Sequence, residues 1–286
     1  MKTLILLFRR KLPWLCSIFL FYLFLPCTFA QENWKPRIIA TQSNQTGEVS
    51  FYIQNLNATD CQCEITLLNS EILTEPLITK DYYFIIPPAT ERQLVLTFFI
   101  KEPQKYNLTY SHKCLVGNPE KVQPDNFVYM FPFPEGKKHL LTQGYFGRYS
   151  HQNEHALDFK MRKGSEVVAA RGGLIIGVKE DSEKGGGSIE YSDDANFIEI
   201  LHADGTIATY LHLNTKGSLV EIGDTVAQGQ LIGYSGNTGW STAPHLHFVV
   251  NKPIKMSFES VATTFYGKNQ VHSKLRTWRW YQSILR

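Results

Sequence analysis

Residues Ser241-Thr242-Ala243-Pro244-His245-Leu246-His247-Phe248-Val249-Val250 place two histidines two positions apart at the mouth of an apolar run. In a β-strand, side chains two apart point to the same face. His245 and His247 therefore project together, while Leu246 and Phe248 face the opposite layer. Two imidazoles on one face suit a metal ligand beside a second acid–base group.

Working outward, Ala203-Asp204-Gly205-Thr206 reads as a hairpin with Asp-Gly as a two-residue type I′ turn. That register pairs Glu199 with Tyr210 and Phe197 with His212, and puts Tyr210 and His212 on one face. By the same parity His202 is a strand-end surface residue. Further upstream, Asp158 sits inside the apolar run Ala156 to Phe159. An acid there is costly to bury unless it is paired or bound to a metal. Its candidate partners are His151 and His155. His155, three residues away, would face the other side of a regular strand, so parity favours His151, in the preceding loop. The expected set is then His151, Asp158 and His247 on one cation, with His212 and His245 as nearby imidazoles that are not ligands. Two imidazoles and one carboxylate with an open fourth position describe a catalytic zinc site rather than a structural one.

The rest of the 286-residue chain bounds this reading. Lys2, Arg9, Arg10 and Lys11 precede an apolar run, Trp14 to Phe24, and Thr28-Phe29-Ala30 offers a small-residue cleavage site, so residues 1–30 read as an export signal. The rest carries 25 basic and 26 acidic residues. That near balance gives no reason to expect a nucleic-acid partner, and no membrane contact is expected beyond the signal. Outside the signal remain Cys61, Cys63 and Cys114, which in an oxidising compartment allow one bridge from Cys114 to Cys61 or Cys63. Residues 31–118 hold short β-rich runs separated by Asn, Pro and Gly clusters, as in an immunoglobulin-like sandwich. The sequons at Asn44, Asn57 and Asn107 read as chance matches. A Pro-rich linker over 119–137 follows, then a second β domain over 138–257 and a tail over 258–286 whose Trp278, Trp280 and Tyr281 are expected to pack on the domain. The whole reads as all-β: a sandwich, then an antiparallel sheet of barrel-sandwich type.

Residues from about 140 to 255 resemble the lysostaphin-type, or LytM-like, zinc metallopeptidases that cut peptidoglycan. The resemblance is carried by Ser150-His151 through Asp158-Phe159, Gly164 to Gly173, Tyr210-Leu211-His212-Leu213, Gly223 to Gly233, Ser235-Gly236-Asn237-Thr238-Gly239 and Pro244-His245-Leu246-His247-Phe248. It implies one Zn2+ held by His151, Asp158 and His247, with His212 and His245 as the catalytic histidines. It also implies an antiparallel core with a cleft on one face, and peptidoglycan peptide stems as the partner. Family members more often space the first two ligands four apart; here they are seven apart, as in relatives with a longer loop. Zinc chemistry then assigns proton transfer to His212 or His245 and leaves Tyr210 as a candidate oxyanion donor. Asn237, in a turn that could rim the cleft, is a candidate substrate contact. No H-E-x-x-H helix is present, so a histidine must act as the base.

Two other readings compete. A non-catalytic wall-binding or regulatory protein could use the same scaffold, although such forms usually lose ligands and none is missing here. A lipoyl-like or phosphohistidine carrier fits the Gly223-Asp224-Thr225-Val226 run, but not Asp158 or the export signal. The all-β endopeptidase, exported to the periplasm or outside the cell, is the expectation carried forward.

Overall fold

The computed structural model describes residues 35–268 and 270–285; the expected export signal over 1–30 lies outside them. Among the described residues, no helix is long and apolar enough to cross a membrane.

The N-terminal module is a two-layer β structure. One layer orders the strands Arg37–Gln42, Glu48–Asn55 and Thr90–Phe99, the other Asp81–Ile86, Cys61–Leu67 and Tyr110–Val116. Alternation along Cys61–Leu67 buries Ile65 and Leu67, which join Val49 and Phe51 in one cluster, edged by the Phe51–Tyr110 ring pair. Cys63 is bonded to Cys114, its direct partner on the neighbouring strand. The bridge thus ties two strands of one sheet, whereas the immunoglobulin bridge crosses between sheets. Cys61 is left as a buried thiol that burial, reinforced by Asp60, pushes up to about 12, which makes it chemically quiet. Asn57 is fully buried and donates to the Ile176 carbonyl at 3.0 Å, so its sequon is closed to modification in the folded chain. Gln62 and Lys113 likewise bond to the backbone of Ile254 and Met256, seating the module on the domain that follows.

That domain is built on a nine-stranded sheet among the described residues. Its order is Thr225–Val226, Gly173–Lys179, Phe197–Leu201, Ile207–Leu211, His245–Ile254, Leu157–Lys160, Lys138–Gln143 and Arg279–Gln282, with Ser257–Ser260 folded back on the His245–Ile254 strand. Every pairing in it is antiparallel. Period-two alternation sends Leu157, Phe159, Ile198, Ile200, Ala208, Tyr210, Leu246, Phe248 and Val250 to one face. They share a core with Val167, Leu213 and Ile232 of a second, three-stranded sheet. Asp158, His245 and His247 alternate with these residues and so occupy the opposite face.

The structure departs from the sequence expectation at three places. First, residues 119–137 are more than a linker. Tyr129, Phe131 and Phe133 are core residues, and Val128–Met130 pairs with Thr264–Gly267 from the tail, which adds Phe265 and Tyr281 to the same core. The Pro-rich composition hid an aromatic ladder in which Phe131 stacks on both Phe133 and Phe265. Full burial of each such ring contributes on the order of 2–3 kcal/mol. Second, the hairpin register differs by one: Glu199 faces Thr209, Ile198 faces Tyr210 and Phe197 faces Leu211. The loop has three residues, with a Gly205 N–H bond to the His202 carbonyl and positive φ at Gly205 but not at Asp204. This is a type I turn followed by a left-handed glycine, which a type I′ turn is not. Asp204 holds it by accepting from the Thr206 N–H and hydroxyl. Third, His202 is buried against Tyr129 rather than lying at the surface, because residues 121–129 cover the turn.

Candidate metal centre

Three chain segments bring His151, Asp158 and His247 together. Asp158 and His247 are direct cross-strand partners, so their side chains meet on one face. His151 reaches them from the loop before the Leu157–Lys160 strand. His151 Nε2 lies 3.1 Å from Asp158 Oδ1 and 3.1 Å from His247 Nδ1, and His247 Nδ1 lies 3.0 Å from Asp158 Oδ1. Ligand bonds of about 2.0–2.1 Å set tetrahedrally would place donor atoms about 3.3 Å apart. The trio is therefore near the spacing that one small cation requires.

Two of the three ligand candidates are held through their other polar atom. His151 Nδ1 donates to the Gly144 carbonyl at 3.1 Å, which leaves the lone pair on Nε2. Gln143 Nε2 donates to Asp158 Oδ2 at 2.9 Å, leaving Oδ1 for the centre. Gln143 is held in turn by Ser150 and by the Tyr149 N–H. Burial alone would raise the Asp158 carboxyl, but when His151 and His247 carry protons on the atoms facing it, their hydrogen bonds outweigh burial and hold the group well below the usual carboxylate range. His151 also responds first to burial, which opposes its charge, yet its bond to Asp158 wins and raises it.

His155 is directed elsewhere. Its Nδ1 bonds to the Ser260 carbonyl, and its ring packs on Tyr145 and Phe146. Of the two candidates weighed as the partner of Asp158, the structure brings only His151 to it.

His212 and His245 stand beside the trio with ring centres 4.6 Å apart, and His212 is 5.9 Å from His247. His245 Nε2 is 3.6 Å from Asp158 Oδ1. Both imidazoles have a fixed tautomer. His212 Nδ1 donates to the Thr238 carbonyl at 2.7 Å and His245 Nδ1 to the Ala243 carbonyl at 2.8 Å, so each keeps Nε2 as a proton acceptor. Burial, then the neighbouring imidazoles His245 and His247, push His212 down to about 3. Burial lowers His245 too. Both rings are neutral at pH 7.

Tyr210 is not at this site. It is fully buried in the core, and its hydroxyl accepts the Ala170 N–H at 2.8 Å. The parity that joined it to His212 breaks because His212 has φ +63°, which interrupts the strand just after Leu211. Asn237 lies in the turn that carries Thr238, half-buried, and its side-chain oxygen accepts from the Ser241 hydroxyl. Sequence reasoning missed Gln143 and Ser241, the latter 3.1 Å from His245 Nδ1. A glutamine fifteen residues from Asp158 carries no local signal; only the pairing of their strands reveals it.

Part of the chain is similar in sequence to known peptidases. The model of peptidase family M23 matches residues 152–259. An uncharacterized metalloprotease of Buchnera aphidicola is 29% identical over 199 residues, covering 67% of this chain and 46% of that protein. The peptidoglycan DD-endopeptidase ShyC of Vibrio cholerae is 39% identical over 98 residues, covering 32% of this chain and 21% of its own length. Among solved structures, the lysostaphin catalytic domain of Staphylococcus simulans is 34% identical, covering 43% of this chain and 87% of that domain, with a TM-score of 0.31. The chain thus spans less than half the length of these curated relatives.

Proposed function

We propose that this chain, which carries a peptidase family M23 domain, is an exported zinc endopeptidase that cuts the peptide cross-links of peptidoglycan. The observation that carries the proposal is the convergence of three lone-pair atoms, His151 Nε2, Asp158 Oδ1 and His247 Nδ1, within 3.1 Å of one another. Imidazole and carboxylate donors at that spacing fit zinc. A zinc ion there would supply Lewis acidity, polarising a peptide carbonyl and acidifying a water molecule. The remaining work falls to the chain. Gln143 and the Gly144 carbonyl orient Asp158 and His151. His212 or His245, each with its proton fixed on Nδ1, accepts a proton at Nε2 from the attacking water and returns it to the leaving amine. The imidazolium formed in that step donates from Nε2 to the developing oxyanion until it gives up the proton. Similarity to endopeptidases such as ShyC supports peptidoglycan as the substrate. Asn237 is proposed to contact the substrate from the rim.

The test is hydrolysis of cross-linked muropeptide dimers by the full chain, with a chelator and after zinc is returned. Cleavage that stops with the chelator and recovers with zinc is expected. His212→Gln and His245→Gln are each expected to keep one zinc per chain while losing about 10²–10⁴ in turnover. A chain that holds stoichiometric zinc and cuts no dimer would overturn the proposal in favour of a wall-binding protein.

A further inference from the structure

The face that carries the site extends beyond it on one side. His245 pairs with Lys160, Lys160 with Leu140, and Leu140 with Trp280, each directly across an antiparallel ladder. Cross-strand partners share a face. On the other face their neighbours Leu246, Phe159, Leu141 and Tyr281 all belong to the core. His245, Lys160, Leu140 and Trp280 therefore form one straight row on the site's face of the sheet. Three strand spacings make the row about 14 Å long, and an extended peptide covers about 14 Å in four residues. The outer half of the row lies on the Lys138–Gln143 and Arg279–Gln282 strands, outside the residues that match the family.

The far end of the row is unusual. Trp280 is 67% exposed, and Trp278, one residue before the strand, is 71% exposed. Trp278 also has φ +61°, a left-handed conformation costly for a bulky side chain, and its exposure shows that burial does not repay that cost. The sequence expectation that these tryptophans pack on the domain holds for neither ring, whereas Tyr281 beside them does pack. An exposed indole offers a flat apolar face and one N–H donor. The apolar C–H face and hydroxyl rim of a sugar ring match that chemistry. Lys160, exposed between Trp280 and the site, offers an ammonium to a carboxylate on the intervening peptide.

We infer that Trp280 is a docking shelf for the amino-sugar strand of the substrate. A peptide bond held beside His245 would have its stem laid along Lys160 and Leu140, and its glycan end on the indole about four residues away. This rests on the endopeptidase reading above and adds a specificity to it: the enzyme favours stems still attached to glycan.

The test compares Trp280→Ala with the parent full chain on intact sacculi and on cross-linked peptide dimers stripped of sugar. The loss in kcat/KM on sacculi should exceed the loss on stripped dimers by about tenfold. Equal losses on both substrates, or no loss on either, would overturn the shelf. A second measurement does not need turnover. N-acetylglucosamine oligomers titrated into the full chain should shift the indole N–H resonance that Trp280→Ala removes. An unmoved resonance would also overturn the shelf. A shifted resonance in a chain that cuts neither substrate would support the shelf while overturning the endopeptidase reading, so the two ideas fail separately.

Discussion

Two buried polar clusters stand at opposite ends of the Ile207–Leu211 strand, and they differ in how their donors and acceptors balance. At the turn end, Arg171 donates to Asp125 at 2.8 and 3.0 Å and to Asp204 at 2.9 Å, while its guanidinium lies 4.3 Å from the centre of the Phe127 ring. Asp204 takes its remaining donors from Thr206. There one guanidinium and two carboxylates bond to one another within the chain, and the surplus negative charge falls on Asp125, which reaches solvent. At the other end, His151, Asp158 and His247 aim three acceptors at one point, and the outer atoms of His151 and Asp158 are already bound. The first cluster is complete as an ion-pair network. The second is arranged so that a cation would complete it. Burial of polar groups is common to both, so burial alone does not mark the functional site; the surplus of lone pairs does.

The largest effect expected from this contrast is at Asp158. Asp158→Asn keeps the shape and removes the charge. Bound zinc should fall to near zero and kcat/KM by about 10³ or more, read by metal analysis and dimer cleavage. Full zinc occupancy in this variant would undo the distinction between the clusters.

The matched cluster should fail differently. Arg171→Met strands Asp204, which is buried, and should destabilise the fold by about 3–5 kcal/mol in denaturant titration. Zinc per folded chain should stay at the parent value. Loss of zinc from folded Arg171→Met would show that the ends of the strand are coupled. Chelation supplies the converse case. With free zinc at 100 to 1,000 times its Kd, removal should cost about 3–4 kcal/mol of stability and lower Tm. In the Asp158→Asn chain the same chelator should leave Tm where it was.

Much of the centre was legible before any coordinates, for a geometric reason. His245-Leu246-His247 and Leu157-Asp158-Phe159 each embed polar residues at period two in an apolar strand, and strand parity survives translation into three dimensions. Parity failed where the backbone left the strand. It miscounted the turn because one left-handed glycine adds a residue to the loop, and it misplaced Tyr210 because it counted through His212. The supports of the site were illegible for a different reason. Gln143, the Thr238 carbonyl and Ser241 act through pairings between distant segments, to which local composition is blind. The aromatic core donated by residues 119–137 and by the tail was hidden in the same way.

The smallest effect expected concerns His202, the one imperfection in the matched cluster. Its Nδ1 donates to the Gly172 carbonyl, and its buried Nε2 has no hydrogen-bond partner among the described residues. Burial, aided by the nearby Arg171 guanidinium, pushes it down to about 4. The folded chain therefore keeps this ring neutral at a pH where the unfolded chain, titrating near 6.5, already holds a proton. Between pH 6.5 and about 4 the unfolded state binds more protons, so stability must fall as pH falls, and the decline must stop once both states are protonated. The full drop for this shift is roughly 3 kcal/mol. Denaturant midpoints of the parent and of His202→Gln, followed from pH 7 to 4, isolate it, because every other titrating group is common to both chains. The parent should lose that much more than the variant across the window. Parallel pH profiles would mean that water or a turned ring already satisfies Nε2, and the turn-end cluster would then be as fully matched as its ion pairs suggest.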